Sequence, residues 1–324
     1  MKTTSQFQSF LGSEIEQFLT HKRSLRRRYH TEEKSLVLLD RYLRDRHITA
    51  LSEITPTVID QFLLSRRRTR PRSYNHLRST LGRLFSYLVD QEKLARNPLQ
   101  SPPRRGRYQR TPFIFNTTDV ERLLALTKAL PKSGQTYYVL FTVLYGLGLR
   151  VGEACRLCVK DIDLQRRLLV IREAKFYKTR LVPFGPKLNA LLVEHLRRRR
   201  AESPAGLMAD QPVFTFRAGR PMNPGTPSQM FHHLVPQLRL TIPPGVSPPR
   251  LHDLRHSFAV GALTRWYRLD LDPQTRLLAL ATFMGHVDVN STAIYLTTTS
   301  TLLEQANQRF EEFATAVLSG GSAS

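Results

Sequence analysis

The sequence predicts a mainly α-helical protein of two domains, the second carrying a small antiparallel β-sheet. Three observations predict this. The chain has 324 residues, more than one domain commonly holds, and its 41% hydrophobic content is enough for sizeable cores. Apolar residues recur at three- and four-residue spacing along most of its length. That period is lost between residues 97 and 112, and a strand pattern replaces it only around 168–183.

The first domain, 1–97, reads as four short helices. One lies around Glu14–Leu25. A second follows Thr31, where Leu36, Leu39 and Leu43 keep one face apolar. A third starts at Thr55-Pro56, a cap and a first-turn proline ahead of Val58, Ile59, Phe62 and Leu63. Leu77, Leu81, Leu84, Phe85 and Leu88 form the clearest stripe, on a fourth. Residues 98–112 read as a basic, proline-rich linker, semi-rigid where the prolines fall.

The second domain, 113–324, opens with a helix at Thr118, with Glu121 completing a capping box. Leu168–Ile171 and Thr179–Pro183 read as the two strands of a hairpin whose turn holds Ala174-Lys175-Phe176-Tyr177. Val213–Phe216 reads as a third short strand. Gly185-Pro186 leads into a helix whose basic last turn, Arg197–Arg200, suits the helix dipole. Cys155 and Cys158 are the only cysteines, which fits a reducing compartment; with no second ligand pair, they read as packing residues rather than a zinc site.

Charge narrows the partner. The net charge is +23, of which +13 falls in residues 1–110, so the first domain is the more basic per residue. Such an excess points to a polyanion, nucleic acid or an anionic membrane. The apolar uncharged run Ser133–Leu149 has 17 residues, with Gly146 and Gly148 near its end, too short to span a bilayer. No secretory signal is visible in the first 20 residues. Nucleic acid is therefore the expected partner. The arginines expected to track its phosphates are Arg26, Arg27, Arg28, Arg66, Arg67, Arg68, Arg104, Arg105, Arg107 and Arg110.

Four segments carry chemistry-bearing residues: Gly146–Ala154 around Arg150, the hairpin turn with Lys175, Leu251–His256, and Met284-Gly285-His286 with Tyr295 nine residues on. Singly each has a plain structural reading. Arg150 ends a buried helix with Glu153 as a candidate ion-pair partner. His252 and Arg255 share a helix face at i, i+3. Gly285 is a helix stop, and Tyr295 a core tyrosine. His286 and Tyr295 lie two and a half turns apart, on opposite faces of a continuous helix, so they converge only if the chain breaks between them; Val287–Ser291 supplies turn and cap residues for that break.

Together the segments resemble the tyrosine recombinase, or phage integrase, family of site-specific DNA recombinases. Arg150 sits in a Gly-Leu-Arg-x-Gly-Glu box, Lys175 in Ala-Lys-x-x-Lys-x-Arg-x-Val-Pro, His252-x-x-Arg255 matches the second box, and His286 with Tyr295 the third. Ala174 and Phe176 replace the glycines usual beside the lysine, and Lys178 lies nearby. The span from Arg255 to His286, longer by residues around Thr264–Arg276, resembles the integrase and transposon-borne branches.

The resemblance implies a helical, SAM-like core-binding domain and an α+β catalytic domain closing on DNA as a C-shaped clamp. It implies Tyr295 as nucleophile, forming a 3′-phosphotyrosine; Arg150 and Arg255 as phosphate clamps; His252 as base; His286 as a further donor; and Lys175 as general acid. Neither metal nor ATP is called for. Partners would be double-stranded DNA with an inverted-repeat core site, at the nucleoid of a prokaryotic cytoplasm, and further copies of the chain, a tetramer on two sites. Leu302, Ala306, Phe310, Phe313 and Val317 make one apolar helix face; the resemblance favours its docking on a neighbouring copy, and the alternative is that it packs on its own domain. Two other readings stay open: a type IB topoisomerase-like nicking-closing enzyme, and a non-catalytic DNA-binding accessory protein.

Overall fold

The computed structural model describes residues 7–25, 27, 29–106, 111–172, 179–203, 206–216, 220–286 and 288–297. The chain divides into two compact units, Met1–Gln109 and Arg110–Ser324.

The first unit holds helices α1 (Gly12–Ser24), α2 (His30–Asp45), α3 (Pro56–Ser65) and α4 (Pro71–Asp90). Helix α4 is the central one, touching the other three. Its stripe Leu77, Leu81, Leu84, Phe85 and Leu88 is fully buried. Leu36, Leu39 and Leu43 of α2 and Ile59, Phe62 and Leu63 of α3 meet it in one core. Thr55 caps α3, its Oγ1 accepting from Val58 N at 3.4 Å, with Pro56 in the first turn. Helix α2 begins one residue before Thr31. Tyr29, in the left-handed region at φ 52°, turns the chain into it. That conformation is uncommon for a bulky residue. It is held by burial of the ring edge-on against Phe18 at 5.8 Å and by Arg83 Nη1 donating to its hydroxyl at 3.1 Å.

The start of the proline-rich stretch lies along this unit. Asn97 Nδ2 donates to Gly82 O at 3.0 Å, Ser101 Oγ bonds Asp60, and the Arg104 guanidinium lies 4.0 Å over the Tyr74 ring. The pyrrolidine rings stiffen the backbone, and these side chains fix its course.

The second unit holds helices α5 (Thr117–Lys128), α6 (Gly134–Leu147) and α7 (Val151–Cys155). Strands β1 (Ile162–Asp163), β2 (Leu168–Ile171) and β3 (Arg180–Pro183) follow. Helices α8 (Pro186–Ala201), α9 (Gly225–Leu234), α10 (Asp253–Arg268), α11 (Pro273–Met284) and α12 (Asn290–Ala293) complete it. The uncharged run of the sequence is α6, apolar nearly all round because α5, α8 and α10 surround it. Among the described residues no helix is long and apolar enough to cross a membrane.

The strands form one antiparallel sheet in the order β1-β2-β3, with Leu169 opposite Val182 and Ile171 opposite Arg180. Leu169, Ile171 and Val182 turn into the core. The third strand is β1, not Val213–Phe216. The backbone carbonyls of Pro212 and Val213 are taken by side chains instead: Arg199 Nη1 donates to them at 2.6 and 2.8 Å, and His195 Nε2 lies 3.0 Å from Val213 O. Arg199, in the basic last turn of α8, is thus buried and structural. Cys155 is buried and Cys158 partly so, and neither is in a disulfide.

Helix α5 begins before Thr118. Its cap is Asn116, whose Oδ1 accepts from Asp119 N at 2.8 Å. An Asn side chain satisfies one of the orphan N–H groups of a first turn, typically contributing about 1 kcal/mol. Asn116→Ala should therefore lower the unfolding free energy of this unit by about 1 kcal/mol, and Thr118→Ala by much less, read from urea unfolding midpoints.

Candidate active site

Five of the sequence-predicted residues, Arg150, His252, Arg255, His286 and Tyr295, collect around the C-terminal end of α11. The helix stops because Gly285 adopts φ 69°, and a Cβ there would lie 2.6 Å from Arg180 Nη1. A helix end leaves carbonyls unpaired and carries partial negative charge. Here three arginines meet three successive carbonyls. Arg180 Nε donates to Phe283 O at 2.9 Å, Arg255 Nη2 to Met284 O at 2.8 Å, and Arg150 Nη2 to Gly285 O at 2.8 Å.

Each arginine arrives by a local device. Helix α6 ends at Gly148, left-handed at φ 58°, where a Cβ would strike the Phe258 ring at 2.4 Å. The chain then turns directly into α7, with Arg150 at its N-cap. Glu153, three residues on, reaches back to Arg150 N at 3.1 Å and binds Arg150 Nη1 at 2.7 Å. Arg180, first residue of β3, binds the same carboxylate through both terminal nitrogens, at 3.1 and 2.9 Å. Arg255 sits in the first turn of α10, only 2% exposed, and its Nη1 donates to Gly148 O. Arg150 is the more open of the two predicted phosphate clamps, its side chain 27% exposed.

Glu153 is nearly fully buried, and burial alone would raise its pKa. The two guanidiniums, Arg180 first, outweigh that and bring it down to about 2. It is therefore a fixed anion between two cations.

The chain does break between His286 and Tyr295. Asp288 Oδ1 accepts from Asn290 N at 3.0 Å and opens α12; Tyr295 follows in a 3₁₀ turn, Ile294–Thr297. Tyr295 is 3% exposed. Its hydroxyl lies 2.7 Å from His256 Nδ1, and its ring is stacked on His286 with centroids 6.4 Å apart. His256 in turn meets His252 edge-on at 4.9 Å. His286 Nδ1 lies 2.6 Å from Thr292 Oγ1, which fixes its ring.

The three histidines share an electrostatic setting. Loss of hydration holds His252, His256 and His286 well below the ordinary imidazole value, each to about 4, and Arg255 adds to this in all three. His252 is the most exposed of the three. Burial pushes the Tyr295 phenol up, while Arg255 and then Arg150 pull against it. At neutral pH the site thus holds neutral imidazoles and a protonated phenol among permanently charged guanidiniums.

Of the six residues predicted from sequence, Arg150, His252, Arg255, His286 and Tyr295 come together here. Lys175, with Lys178, lies outside the described residues. So do Arg26, Arg28, Arg107, Arg110 and the apolar series from Leu302 to Val317. In the first unit Arg27, Arg67, Arg104 and Arg105 are exposed. Arg66 lies over the Phe62 ring at 5.2 Å, and Arg68 donates to Ser73 Oγ at 2.9 Å, so both are partly committed to their own fold. Sequence reasoning missed two members of the cluster. His256 stands one residue after Arg255, and Arg180 within the hairpin segment; nothing in their spacing tells that one meets the phenol and the other Glu153. Among the described residues no group of three or more His, Cys, Asp or Glu is placed to hold a metal ion.

Comparison with known proteins agrees with this architecture. The phage integrase family profile matches residues 114–301, and the chain belongs to that family of tyrosine recombinases. The y4rB protein of Sinorhizobium fredii, named as an integrase/recombinase, is 37% identical over 216 residues, 64% of this chain and 67% of its own. The y4rE protein of the same organism, similarly named, is 29% identical over 324 residues, 98% of this chain and 99% of its own. Among solved structures, the Tn1549 transposon integrase in complex with transposon right end DNA superposes with a TM-score of 0.66 at 18% identity, covering 95% of this chain and 100% of that one.

Glu153 gives a pH signature. Its folded-state value of about 2 lies below the ordinary 4.5, so its charge stabilises the fold above about pH 4.5 and that contribution disappears as pH falls towards 2. Glu153→Gln should lower the unfolding free energy of the second unit at pH 7 by about 3 kcal/mol. The gap to wild type should narrow steadily below pH 4.5 and close near pH 2 in urea titrations.

Proposed function

We propose that this protein is a site-specific DNA recombinase that cuts and rejoins strands through a 3′-phosphotyrosine at Tyr295. One observation carries the reading: a buried phenol, hydrogen-bonded to a neutral imidazole, inside a cluster that also holds Arg150 and Arg255. A core tyrosine needs no such surroundings, and two guanidiniums held close together beside it are costly to gather in a core. A phosphodiester changes that balance, because its non-bridging oxygens take the arginine charge.

The chemistry follows from the groups. A phenol with an ordinary pKa near 10 is a weak nucleophile at neutral pH and must lose its proton as it attacks phosphorus. The transition state gathers charge on the non-bridging oxygens, which guanidiniums bind through paired donors in a fixed fork. Arg150, the more open, is the first contact; Arg255 lies deeper. His286 donates to the same phosphate; His252, the base that the resemblance implies, stands against His256, which bonds the phenol. The 5′-oxygen leaves with a proton, the role assigned to Lys175 on the hairpin. The phosphotyrosine conserves the ester, so attack by a 5′-hydroxyl reverses the step on the same or another strand.

The rest of the reading is of the same kind. The first unit is the core-binding domain of a clamp on duplex DNA, and its exposed arginines meet phosphates. The substrate is an inverted-repeat core site of a mobile element, filled by copies of this chain that form a tetramer on two sites.

Two results test this. On a nicked suicide duplex cut from the DNA flanking the gene, wild type should accumulate a covalent adduct that survives SDS, and Tyr295→Phe should bind alike and give none. Arg150→Lys removes the fork but keeps the charge; in a chain with net charge +23 it should leave affinity within about threefold. Cleavage should fall on the order of 10²-fold or more, measured as single-turnover adduct formation.

A further inference from the structure

We propose that His256 is the base that takes the phenol proton of Tyr295, an assignment that rests on the recombinase reading above. The contact is already made: Nδ1 lies 2.7 Å from the phenol oxygen, within the range a proton-transfer partner requires. The phenol is 3% exposed, so bulk water is a poor competitor for that proton. Among the described residues His256 is its hydrogen-bond partner; His252 touches His256, not the phenol.

The tautomer is also prepared. To accept at Nδ1, the neutral ring must carry its hydrogen on Nε2. That nitrogen faces Asp253 Oδ1 at 3.8 Å. Asp253 is fully buried and anchored by Arg250, whose backbone N donates at 2.8 Å and Nη2 at 3.0 Å. A fixed carboxylate behind an imidazole favours the hydrogen on the near nitrogen and stabilises the imidazolium that forms, the arrangement by which a base is oriented towards a hydroxyl nucleophile. The groups facing His256 are Asp253, Arg250, His252 and Arg255 on or beside its own helix, and Tyr295 and His286 from the segment after α11. Burial first, then Arg250 and Arg255, keep the ring neutral and able to accept.

His256 is also well fixed in space. It follows Arg255, whose guanidinium is tied to Gly148 O and Met284 O. One turn of α10 therefore carries both a phosphate ligand and the base, and their spacing is that of neighbouring residues.

The step balances. The phenol proton passes to Nδ1 as the phenol oxygen bonds phosphorus and the bond from phosphorus to the 5′-oxygen breaks. The 5′-oxygen takes its proton from the general acid and leaves as a hydroxyl. On rejoining, the 5′-hydroxyl gives its proton to the group that served as general acid, now its base, as its oxygen attacks phosphorus; the bond from phosphorus to Tyr295 breaks, and imidazolium returns the proton to the phenol oxygen. His252 is left free to bind a non-bridging oxygen.

The test follows adduct formation by the full chain under single-turnover conditions between pH 6 and 9. The probe is a nicked duplex carrying the inverted repeat footprinted beside the gene. His256→Gln retains a hydrogen-bonding side chain but cannot take a proton; His256→Ala removes both properties. Both should melt and bind DNA like wild type, and cleave about 10²–10⁴-fold more slowly at pH 7. Their rates should climb about tenfold per pH unit, as hydroxide replaces the base, where wild type stays nearly level. Four results would overturn the assignment. They are wild-type cleavage by His256→Gln, a slower variant whose pH profile keeps the wild-type shape, faster cleavage by His256→Ala, and the steep profile arising in His252→Ala instead. An adduct that persists in Tyr295→Phe would bring down the nucleophile itself, and is distinguishable because it involves no change at His256.

Discussion

The end of helix α11 is where the second unit is tied together. Three consecutive carbonyls there accept from Arg180, Arg255 and Arg150, side chains that start on a strand, in the first turn of a helix and at a helix cap. A helix C-terminus attracts cations, and a guanidinium offers several donors in one plane, so each arginine satisfies backbone at α11 and a second partner elsewhere. Glu153 serves Arg150 and Arg180; Gly148 O serves Arg255. Remove the left-handed turn at Gly285 and the carbonyls no longer point at three separate segments.

The same arrangement leaves charge unbalanced. Glu153 is shared by Arg150 and Arg180 while Arg255 donates to backbone carbonyls, and the histidines beside them are held neutral rather than adding to the positive field. A group that cannot shed its charge remains charged when buried, which is why arginine and not lysine fills these places. The surplus suits a phosphodiester, whose entry lowers the cost of keeping the arginines close together. Local stability and affinity for an anion are opposed here, as expected where a site is built for a ligand rather than for the core.

The first unit follows a different logic. Its core is an ordinary meeting of apolar stripes, and its excess charge sits outside. Several arginines are already engaged there: Arg83 with the Tyr29 hydroxyl, Arg104 with the Tyr74 ring and the Arg68 carbonyl, Arg68 with Ser73. Stacking on aromatic rings and bonding to carbonyls holds such side chains extended at little cost to their charge. A basic surface can therefore be partly ordered without being neutralised.

The amino-acid sequence by itself determined the periodic elements: the stripes on α2, α3 and α4, the break by Pro and Arg after Asn97, the β2–β3 hairpin, the enclosed α6, and the need for a chain break before Tyr295. These depend on spacing and on residues with strong local preferences, which act over a few positions. Its boundaries slipped where a partner decided them, at Tyr29 and Asn116. The expected strand at Val213 gave way because Arg199 and His195 claimed its carbonyls. Tertiary structure alone decided which side chains face one another. That His256 meets Tyr295, 39 residues on, and that Arg180 completes the Glu153 pair, 27 residues away, follow from packing α10, α11 and β3 together. Hydrogen bonds reach about 3 Å, and no periodicity along a chain encodes contact at that range between elements whose separation is set by their cores.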